Sequence, residues 1–211
     1  MRPEPRTRRC QTDEPREGDR ELVSRVSSSP PDETSSDPDP ERMPERTVDS
    51  DRFRAALAHL AAGVVIVTTR DTDGEPHGMT ATAVCSVSVE PPLVMVCMAR
   101  DAATHGVVTR SGIFALNFLP SSEEALARRF ATQSDDKFGD VASAAGETGA
   151  PVLEGALAHC DCAVVHAVPA GDHTIFIGRV VGAGVQADAP GGPLLYYRGR
   201  YVGIGPAEDS E

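Results

Sequence analysis

The sequence contains no tryptophan and only one lysine, Lys137, among its 211 residues. A single lysine excludes Schiff-base chemistry everywhere except at Lys137 itself. No apolar run approaches the ~20 residues that a membrane-spanning helix needs, and the first residues lack the apolar core of a secretory signal. We therefore expect a cytoplasmic protein with no membrane partner.

Cysteine is also scarce, with five residues at irregular spacing, so we expect reduced thiols rather than a disulfide framework. The run His159-Cys160-Asp161-Cys162 resembles a metal motif, but strand alternation sends the two cysteines to the opposite face from His159 and Asp161. A lone Cys-x-Cys also lacks the spacing and partners of a zinc site. We predict no metal, and we interpret these cysteines as buried structural residues, together with Cys85 and Cys97.

The chain is acidic, with a formal net charge of −12 and a pI near 4.9. This charge argues against binding to nucleic acid and to anionic membrane surfaces. Residues 1–46 are rich in Pro, Ser, Asp, Glu and Arg and nearly empty of large apolar residues. Such a segment cannot bury enough surface to offset its conformational entropy. We predict a disordered tail over 1–46, one domain over 47–206 and a disordered C-terminus over 207–211.

The domain begins with a pattern typical of a capped helix. Asp49 or Ser50 can cap it, an apolar face recurs at helical spacing from Phe53 to Leu60, and Gly63 would end it. The β-branched run over 64–69 then predicts a strand, and the turn residues 71–74 lead to the next one. His77, just beyond this turn, fits a surface hairpin better than a site.

Further runs predict roughly eight strands at a spacing typical of barrels. They cover 93–98, 113–119, 156–168, 174–181, 194–197 and 201–204, with a loop over 141–151. Ser121 and Glu124 form a capping-box pattern that opens a helix over 125–131. The Gly-x-Gly pairs at Gly182 and Gly203 have no third glycine and no following helix, so no Rossmann domain is expected.

Residues 78–97 contain the pattern that is most informative about function. Its first part, from Met79 to Ser88, is dense in small and hydroxylated residues, which let a flat ligand approach the backbone and offer hydroxyl and N–H donors. Pro91 and Pro92 fix two φ angles and set a rigid turn. We expect two strands around this turn, and a ligand slot beside them.

Positive charge is concentrated in two places of this acidic chain. Arg100 and the start of a short helix near Thr104 together form a candidate phosphate cradle; the alternative is an ordinary helix start with an exposed arginine. Arg128, Arg129 and Lys137 fall close together, which favours an anionic ligand nearby over a surface charge run.

Several motifs in the same order resemble one known family. They are GMTATAVCSVSVEPPLVMVC from Gly78, GIFALN from Gly112, RFA at Arg129, DKF at Asp136, GDHTIFIG from Gly171 and PLLYYRG from Pro193. Together they cover roughly residues 50–205. The chain resembles the flavin reductase-like, FMN-binding split-barrel family, which comprises small NAD(P)H:flavin oxidoreductases. The resemblance implies a mainly β, Greek-key split barrel with a few short flanking helices.

The resemblance also implies an activity and its cofactors. We expect reduction of FMN, or of FAD, by hydride transfer from NADH or NADPH, with delivery of the reduced flavin to a separate monooxygenase. It implies a homodimer, because the family builds its sites at a two-fold interface. The resemblance implies that His173 contacts the nicotinamide as the catalytic residue. Without the resemblance, a histidine at the start of a strand is more often a turn residue that makes local hydrogen bonds. The flavin contacts would be Met79, Thr80, Ala81, Thr82, Ser86, Val87, Cys97, Met98, Ala99, Arg100, Thr104, Phe130, Lys137 and Phe138.

In the cradle, Ala102 and Ala103 stand where the family usually carries hydroxyl residues. This departure leaves the choice between FMN and FAD open. Two other functions also stay open: a flavin-binding protein without turnover, and a split barrel for another flat anionic cofactor such as pyridoxal phosphate or a deazaflavin. The single lysine and the Gly-Asp-His motif count against pyridoxal phosphate.

Overall fold

A computed structural model describes residues 47–134, 136–186 and 191–204. The tails predicted over 1–46 and 207–211 lie outside these ranges, as does the end of the predicted domain. The described chain is mainly β. Its helices are α1 (Ser50–Leu57), α2 (Ala103–Ser111) and α3 (Glu124–Phe130).

Twelve strands are present in the described ranges, several of them short. They are β1 (Ala62–Gly63), β2 (Val65–Arg70), β3 (Pro76–Ala81), β4 (Val84–Ser88), β5 (Leu93–Ala99), β6 (Ile113–Phe118), β7 (Ser143–Ala145), β8 (Pro151–Leu153), β9 (Ala158–Ala170), β10 (His173–Val185), β11 (Leu194–Tyr197) and β12 (Arg200–Gly203).

Seven of these strands form one antiparallel sheet in the order β3-β2-β6-β9-β10-β5-β4. Its two edge strands, β3 and β4, are consecutive in the chain and are joined by Thr82 and Ala83 alone, so the sheet must curl to bring its edges together. The N–H of Cys97 on β5 donates to the carbonyl of Ala83 at 2.9 Å and fixes this link. The predicted mainly β split barrel with short helices is confirmed.

The position of strand β2 between two core clusters explains why its residues 65–69 are all β-branched. Val65 and Val67 pack in a core cluster on one face of the sheet with Phe114 and Phe176. Ile66 faces the other way, into a second cluster that contains Phe130 and Leu194. Because both faces are buried, the strand shows no alternation between polar and apolar residues.

The first helix is capped as predicted, but it is shorter and less buried than expected. The Asp49 carboxylate accepts the N–H groups of Asp51 and Arg52 at 3.1 and 3.0 Å. The helix ends at Leu57, and Gly63 belongs to β1 instead of ending it. Its apolar side is open to solvent, since Phe53 and Leu57 on the helix and Leu60 just beyond it are 53%, 47% and 65% exposed.

Two local predictions are wrong. The capping box does not form, because Ser121 lies in a 3-10 turn over Ser121–Glu123 and helix α3 begins without a side-chain cap. The predicted loop over 141–151 contains β7 and the start of β8, which pair as a hairpin. Backbone hydrogen bonds hold the turn of this hairpin together. For example, the N–H of Gly146 donates to the carbonyl of Ala150.

Two residues of the run from His159 to Cys162, namely Asp161 and Cys162, are buried in the protein core. Asp161 is buried, and its carboxylate accepts the backbone N–H and the hydroxyl of Thr148 at 2.7 and 2.5 Å. Cys162 is buried, and burial, followed by the nearby Cys160 and Asp161, raises the pKa of its thiol to about 12. Cys85 is exposed, contrary to the prediction, because it lies on the edge strand β4. Within the described ranges, no three His, Cys, Asp or Glu residues are arranged to hold a metal ion.

Candidate functional site

The larger of two neighbouring cavities lies between β3, the start of α2 and the segment that follows α3. Its volume is about 640 Å³, within the ~300–1,000 Å³ typical of ligand pockets. Its lining brings together six residues that the sequence predicted for one site but that are far apart in the chain. They are Met79, Thr80, Thr104, Phe130, Lys137 and Phe138.

An aromatic wall closes one side of this cavity. The rings of Phe130 and Phe138 meet edge to face with centroids 5.0 Å apart. The Phe130 ring reaches β3 at Gly78, where an added Cβ would lie 2.7 Å from its Cε1 atom. A side chain at Gly78 would therefore displace the ring, so the glycine is needed for this wall.

The nine-residue helix α2 opens onto the same cavity without a side-chain cap. Its N-cap is Ala102, and Asp101, Ala102, Ala103 and Thr104 all line the cavity. The first N–H groups of a helix have no partner within the helix, and its N-terminus carries partial positive charge. The methyl side chains of Ala102 and Ala103 leave room for an anion to approach these groups.

Lys137 supplies a full positive charge to the cavity. Its ammonium donates to the carbonyls of Gly78 and Phe130 at 3.1 and 3.3 Å, so it also ties the aromatic wall to β3. Acidic residues line the cavity too. Asp71 is bound by His77 at 3.1 Å, and this hydrogen bond, with those from backbone N–H groups of Glu75 and Asp73, lowers the pKa of the Asp71 carboxyl. That carboxylate is thereby engaged at the β2–β3 turn.

A second cavity of about 380 Å³ lies beside the first, and Thr80, Ala131 and Thr132 border both. Thr82, another predicted residue, lines this second cavity. The Thr80 hydroxyl donates to the carbonyl of Ala127 at 2.6 Å and so fastens β3 to helix α3.

Other predicted residues do not line either cavity. Ala81 and Met98 are buried in the core, because Ala81 points to the opposite face of β3 from Thr80. Four others lie along β4 and β5. Ser86 and Val87 are exposed on β4, and Cys97 and Ala99 are half-buried on β5.

Arg100 and His173 form a separate cluster at the β9–β10 turn. The Arg100 N–H donates to the carbonyl of Asp172 at 3.0 Å, and its guanidinium donates to the carbonyl of Gly171 at 2.7 Å. His173 pairs with Ala99 in the sheet, and its side chain is 44% exposed. Its Nδ1 lies 2.7 Å from the Asp172 carboxylate, and this hydrogen bond lowers the pKa of Asp172.

Three large side chains of the second cavity are absent from the predicted flavin contacts: Arg128, which was predicted only to lie near an anionic ligand, Tyr196 and Tyr201. The tyrosines lie opposite each other in the β11–β12 hairpin. Its two-residue turn, Arg198-Gly199, has positive φ at both positions, as a type I′ turn requires. A spacing of five residues around an Arg-Gly turn was therefore the signal that places both rings on one face.

The described residues fit a flavin. A flat ring needs an apolar wall, which Phe130 and Phe138 provide, and a phosphate needs donors, which Lys137 and the uncapped start of α2 provide. A pocket with one apolar side and a few convergent polar groups is typical of cofactor sites.

Among the described residues, no helix is long and apolar enough to cross a membrane.

Comparison with known proteins identifies relatives of this chain. Residues 57–205 match the Flavin reductase like domain family. The chain is 43% identical to "Flavin reductase (NADH)" of Kitasatospora aureofaciens over 157 residues, 74% of this chain and 82% of that one. It is 42% identical to the reductase component of a 4-nitrophenol monooxygenase from Rhodococcus opacus, covering 73% and 80% of the two chains.

A solved structure shows the same fold. The NADH:FAD oxidoreductase SgcE6 of Streptomyces globisporus, in complex with NAD and FAD fragments, superposes with a TM-score of 0.70 at 37% identity, over 78% of this chain and 99–100% of that one. On the sequence match and on the shared fold, the chain belongs to the Flavin reductase like domain family.

Proposed function

We propose that this protein is an NAD(P)H-dependent flavin reductase that binds FMN or FAD in the larger cavity. The observation that carries the proposal is that the Phe130–Phe138 wall, Lys137 and the uncapped start of α2 meet around one pocket in a member of this family. Relatives whose names specify flavin reduction with NADH or FAD support the activity and its cofactors.

The groups that would hold the flavin divide by chemistry. Lys137 and the N–H groups at Ala103 and Thr104 suit its phosphate, by charge and by hydrogen bonding. Phe130 and Phe138 suit the ring by apolar contact, whereas the Met79 side chain packs against the core cluster of Val65 and Phe114. The other predicted contacts, namely Ala81, Ser86, Val87, Cys97, Met98, Ala99 and Arg100, do not line this cavity, so we propose that any role they have in this chain is through backbone groups or through shaping the sheet edge.

The reaction needs little side-chain chemistry. When bound, the flavin supplies the hydride acceptor for a reduced nicotinamide. The chain's task is to hold the two rings together, keep water away and place hydrogen-bond donors where negative charge develops. We expect no side-chain general base. We propose that His173, oriented by Asp172, contacts the nicotinamide from the β9–β10 turn.

We propose that the reduced flavin passes to a separate monooxygenase, since several relatives are named as reductase subunits or components of such enzymes. We also propose a homodimer. The exposed apolar side chains of Phe53 and Leu57 on α1 and of Leu60 just beyond it support a homodimer, because a second copy would remove this surface from water. A cytoplasmic location stays a prediction.

The proposal is tested by adding NADH and NADPH in turn to the protein with FMN, FAD or riboflavin. We expect NADH to be oxidised at a rate proportional to the protein, and the flavin absorbance to bleach under anaerobic conditions. A flavin-binding protein without turnover would bind the flavin but leave its absorbance unchanged. Failure to bind any of the three flavins would contradict the proposal itself.

A further inference from the structure

The second cavity has a chemistry that the proposed flavin site does not use. It lies between β3, helix α3 and the β11–β12 hairpin, and its lining includes Arg128, Tyr196 and Tyr201. Two of the three tyrosines of the chain thus face one pocket together with an arginine. Aromatic rings and guanidinium groups that border a pocket are typical of sites that bind flat, electron-rich rings.

The side chains of Tyr201 and Glu124 hold the planar guanidinium of Arg128 in place. Its central carbon lies 4.8 Å from the centroid of the Tyr201 ring. Glu124, one helical turn earlier, accepts a hydrogen bond from the Nε of Arg128 at 2.8 Å, and the same carboxylate oxygen lies 2.7 Å from its Nη2 in an ion pair. The Arg128 side chain is nevertheless 62% exposed, so the face turned away from Tyr201 stays accessible to a ligand.

The two tyrosine rings form the rest of a concave surface on which one ring system can pack. Tyr196 meets Tyr201 edge to face, with centroids 5.2 Å apart and planes at 66°. Thr82, exposed on the link between β3 and β4, adds a hydroxyl that can donate or accept a hydrogen bond. A volume of about 380 Å³ is near the lower limit for ligand pockets, which suits one bicyclic base with its sugar.

The position of this cavity indicates where that base would come from. Thr80, Ala131 and Thr132 border both cavities, so one extended molecule can occupy them together. Dinucleotides have this form, with a redox ring at one end and adenine at the other. We propose that the second cavity is an adenylate subsite, formed by Arg128, Tyr196 and Tyr201, for the adenine end of a dinucleotide. This inference rests on the proposed function.

The direct test uses AMP as the probe and the full chain as the protein, by isothermal titration calorimetry. We expect Arg128→Ala and Tyr196→Leu to raise the Kd for AMP by about five- to 150-fold, the range expected for losing one stacking contact with a base. Tyr196→Phe keeps the ring and should stay within about two-fold of the wild type. Arg54→Ala is the matched control, because Arg54 is also an exposed helical arginine paired with an acid, Asp51, one turn earlier.

Two further measurements identify the dinucleotide. If FAD supplies the adenylate, the two variants raise the Kd for FAD and leave the Kd for FMN within about two-fold. If NADH supplies it, they raise the KM for NADH with riboflavin as acceptor, and FAD and FMN bind as in the wild type. Either result supports the subsite.

The subsite is overturned if AMP does not bind the wild type, if Arg128→Ala and Tyr196→Leu bind AMP normally, or if neither dinucleotide responds to them. Circular dichroism confirms that each variant is folded before titration. AMP binding requires no flavin reduction, so the two proposals fail separately. Absence of NADH oxidation with intact AMP binding contradicts only the reductase activity.

Discussion

The ring of Phe130 lies so close to Gly78 that a Cβ at position 78 would be 2.7 Å from its Cε1 atom. The residue pair joins helix α3 to the edge strand β3, and the ring also meets Phe138 to form the aromatic wall of the larger cavity. Lys137 reinforces the same junction by donating to the carbonyls of both residues. The wall therefore depends on a glycine at one position of β3.

Gly78→Ala should disturb this wall. Overpacking of a well-packed site typically costs about 1–3 kcal/mol, so we expect a loss of that size in the free energy of unfolding, measured by urea denaturation, and a higher Kd for FMN. Gly63→Ala is the control, since an added Cβ at Gly63 meets nothing within 4 Å. Adding Phe130→Leu to Gly78→Ala should recover stability by removing the clash. Unchanged stability and FMN binding in Gly78→Ala would mean that the ring moves freely.

Lys137→Met should weaken the binding of a flavin that carries a phosphate more than the binding of a flavin that lacks one. A hydrogen bond to a charged group is worth about 1.5–3 kcal/mol, so we expect the Kd for FMN to rise by roughly ten- to 150-fold and the Kd for riboflavin, which has no phosphate, to change much less. Arg110→Gln removes a positive charge from the last turn of α2 and should affect neither flavin. Equal losses for both flavins would mean that Lys137 acts only through the wall that it ties together.

His173→Ala should weaken the use of nicotinamide and spare the flavin. We expect a higher KM for NADH with the Kd for FMN within about two-fold of the wild type, because His173 lies at the β9–β10 turn and lines neither cavity. His166→Ala, which removes an exposed histidine from β9, is the control. Parallel loss of flavin and nicotinamide binding would contradict the assigned role.

The buried pair of Asp161 and Thr148 predicts a change in stability without a change in function. Thr148→Val leaves one carboxylate oxygen of Asp161 without its hydroxyl partner, which should lower the free energy of unfolding by about 1–3 kcal/mol. Thr148→Ser restores the hydroxyl and should restore most of the stability. Neither residue lines either of the two cavities described above, so FMN should bind the folded variants normally. Altered FMN affinity would show that the β7–β8 hairpin contributes to the site.

The thiol of Cys162 predicts a stability change at alkaline pH. Burial raises its pKa from the ordinary value of 9.0 to about 12, so the folded chain holds this proton more tightly than the unfolded chain. The resulting stability is present below about pH 9 and is lost as the pH rises toward 12. Thermal unfolding from pH 8 to 11 should therefore show a shallower decline for Cys162→Ala than for the wild type. Parallel curves for the two proteins would contradict this prediction.

The sequence predicts much of this fold because its local signals agree with tertiary packing. The β-branched run of β2 and the Asp49 cap are both found in the structure. The capping box at Ser121 fails because Pro120 leads into a 3-10 turn, which changes the positions that a cap needs. The open face of α1 could not be foreseen, because periodicity shows that a face is apolar and does not show what covers it.

The site was predictable only in part. Phe130 and Lys137 follow β3 by some fifty residues, so only the family resemblance linked them to Thr80. Alternation along β3 sends Thr80 toward the cavities and Ala81 to the core, and Thr82 on the link beyond β3 lines the second cavity. The sequence leaves open which set faces inward, because small residues occupy both. Arg100 binds the carbonyl of Gly171, a contact between distant turns that no local pattern encodes.

The most direct test of the flavin site is a crystal structure of the protein grown with FMN. We expect electron density for the flavin in the cavity lined by Phe130, Lys137 and Thr104, with the phosphate at Lys137 and the start of α2. Density for FMN at another place, with this cavity filled by the protein's own side chains, would contradict the assignment.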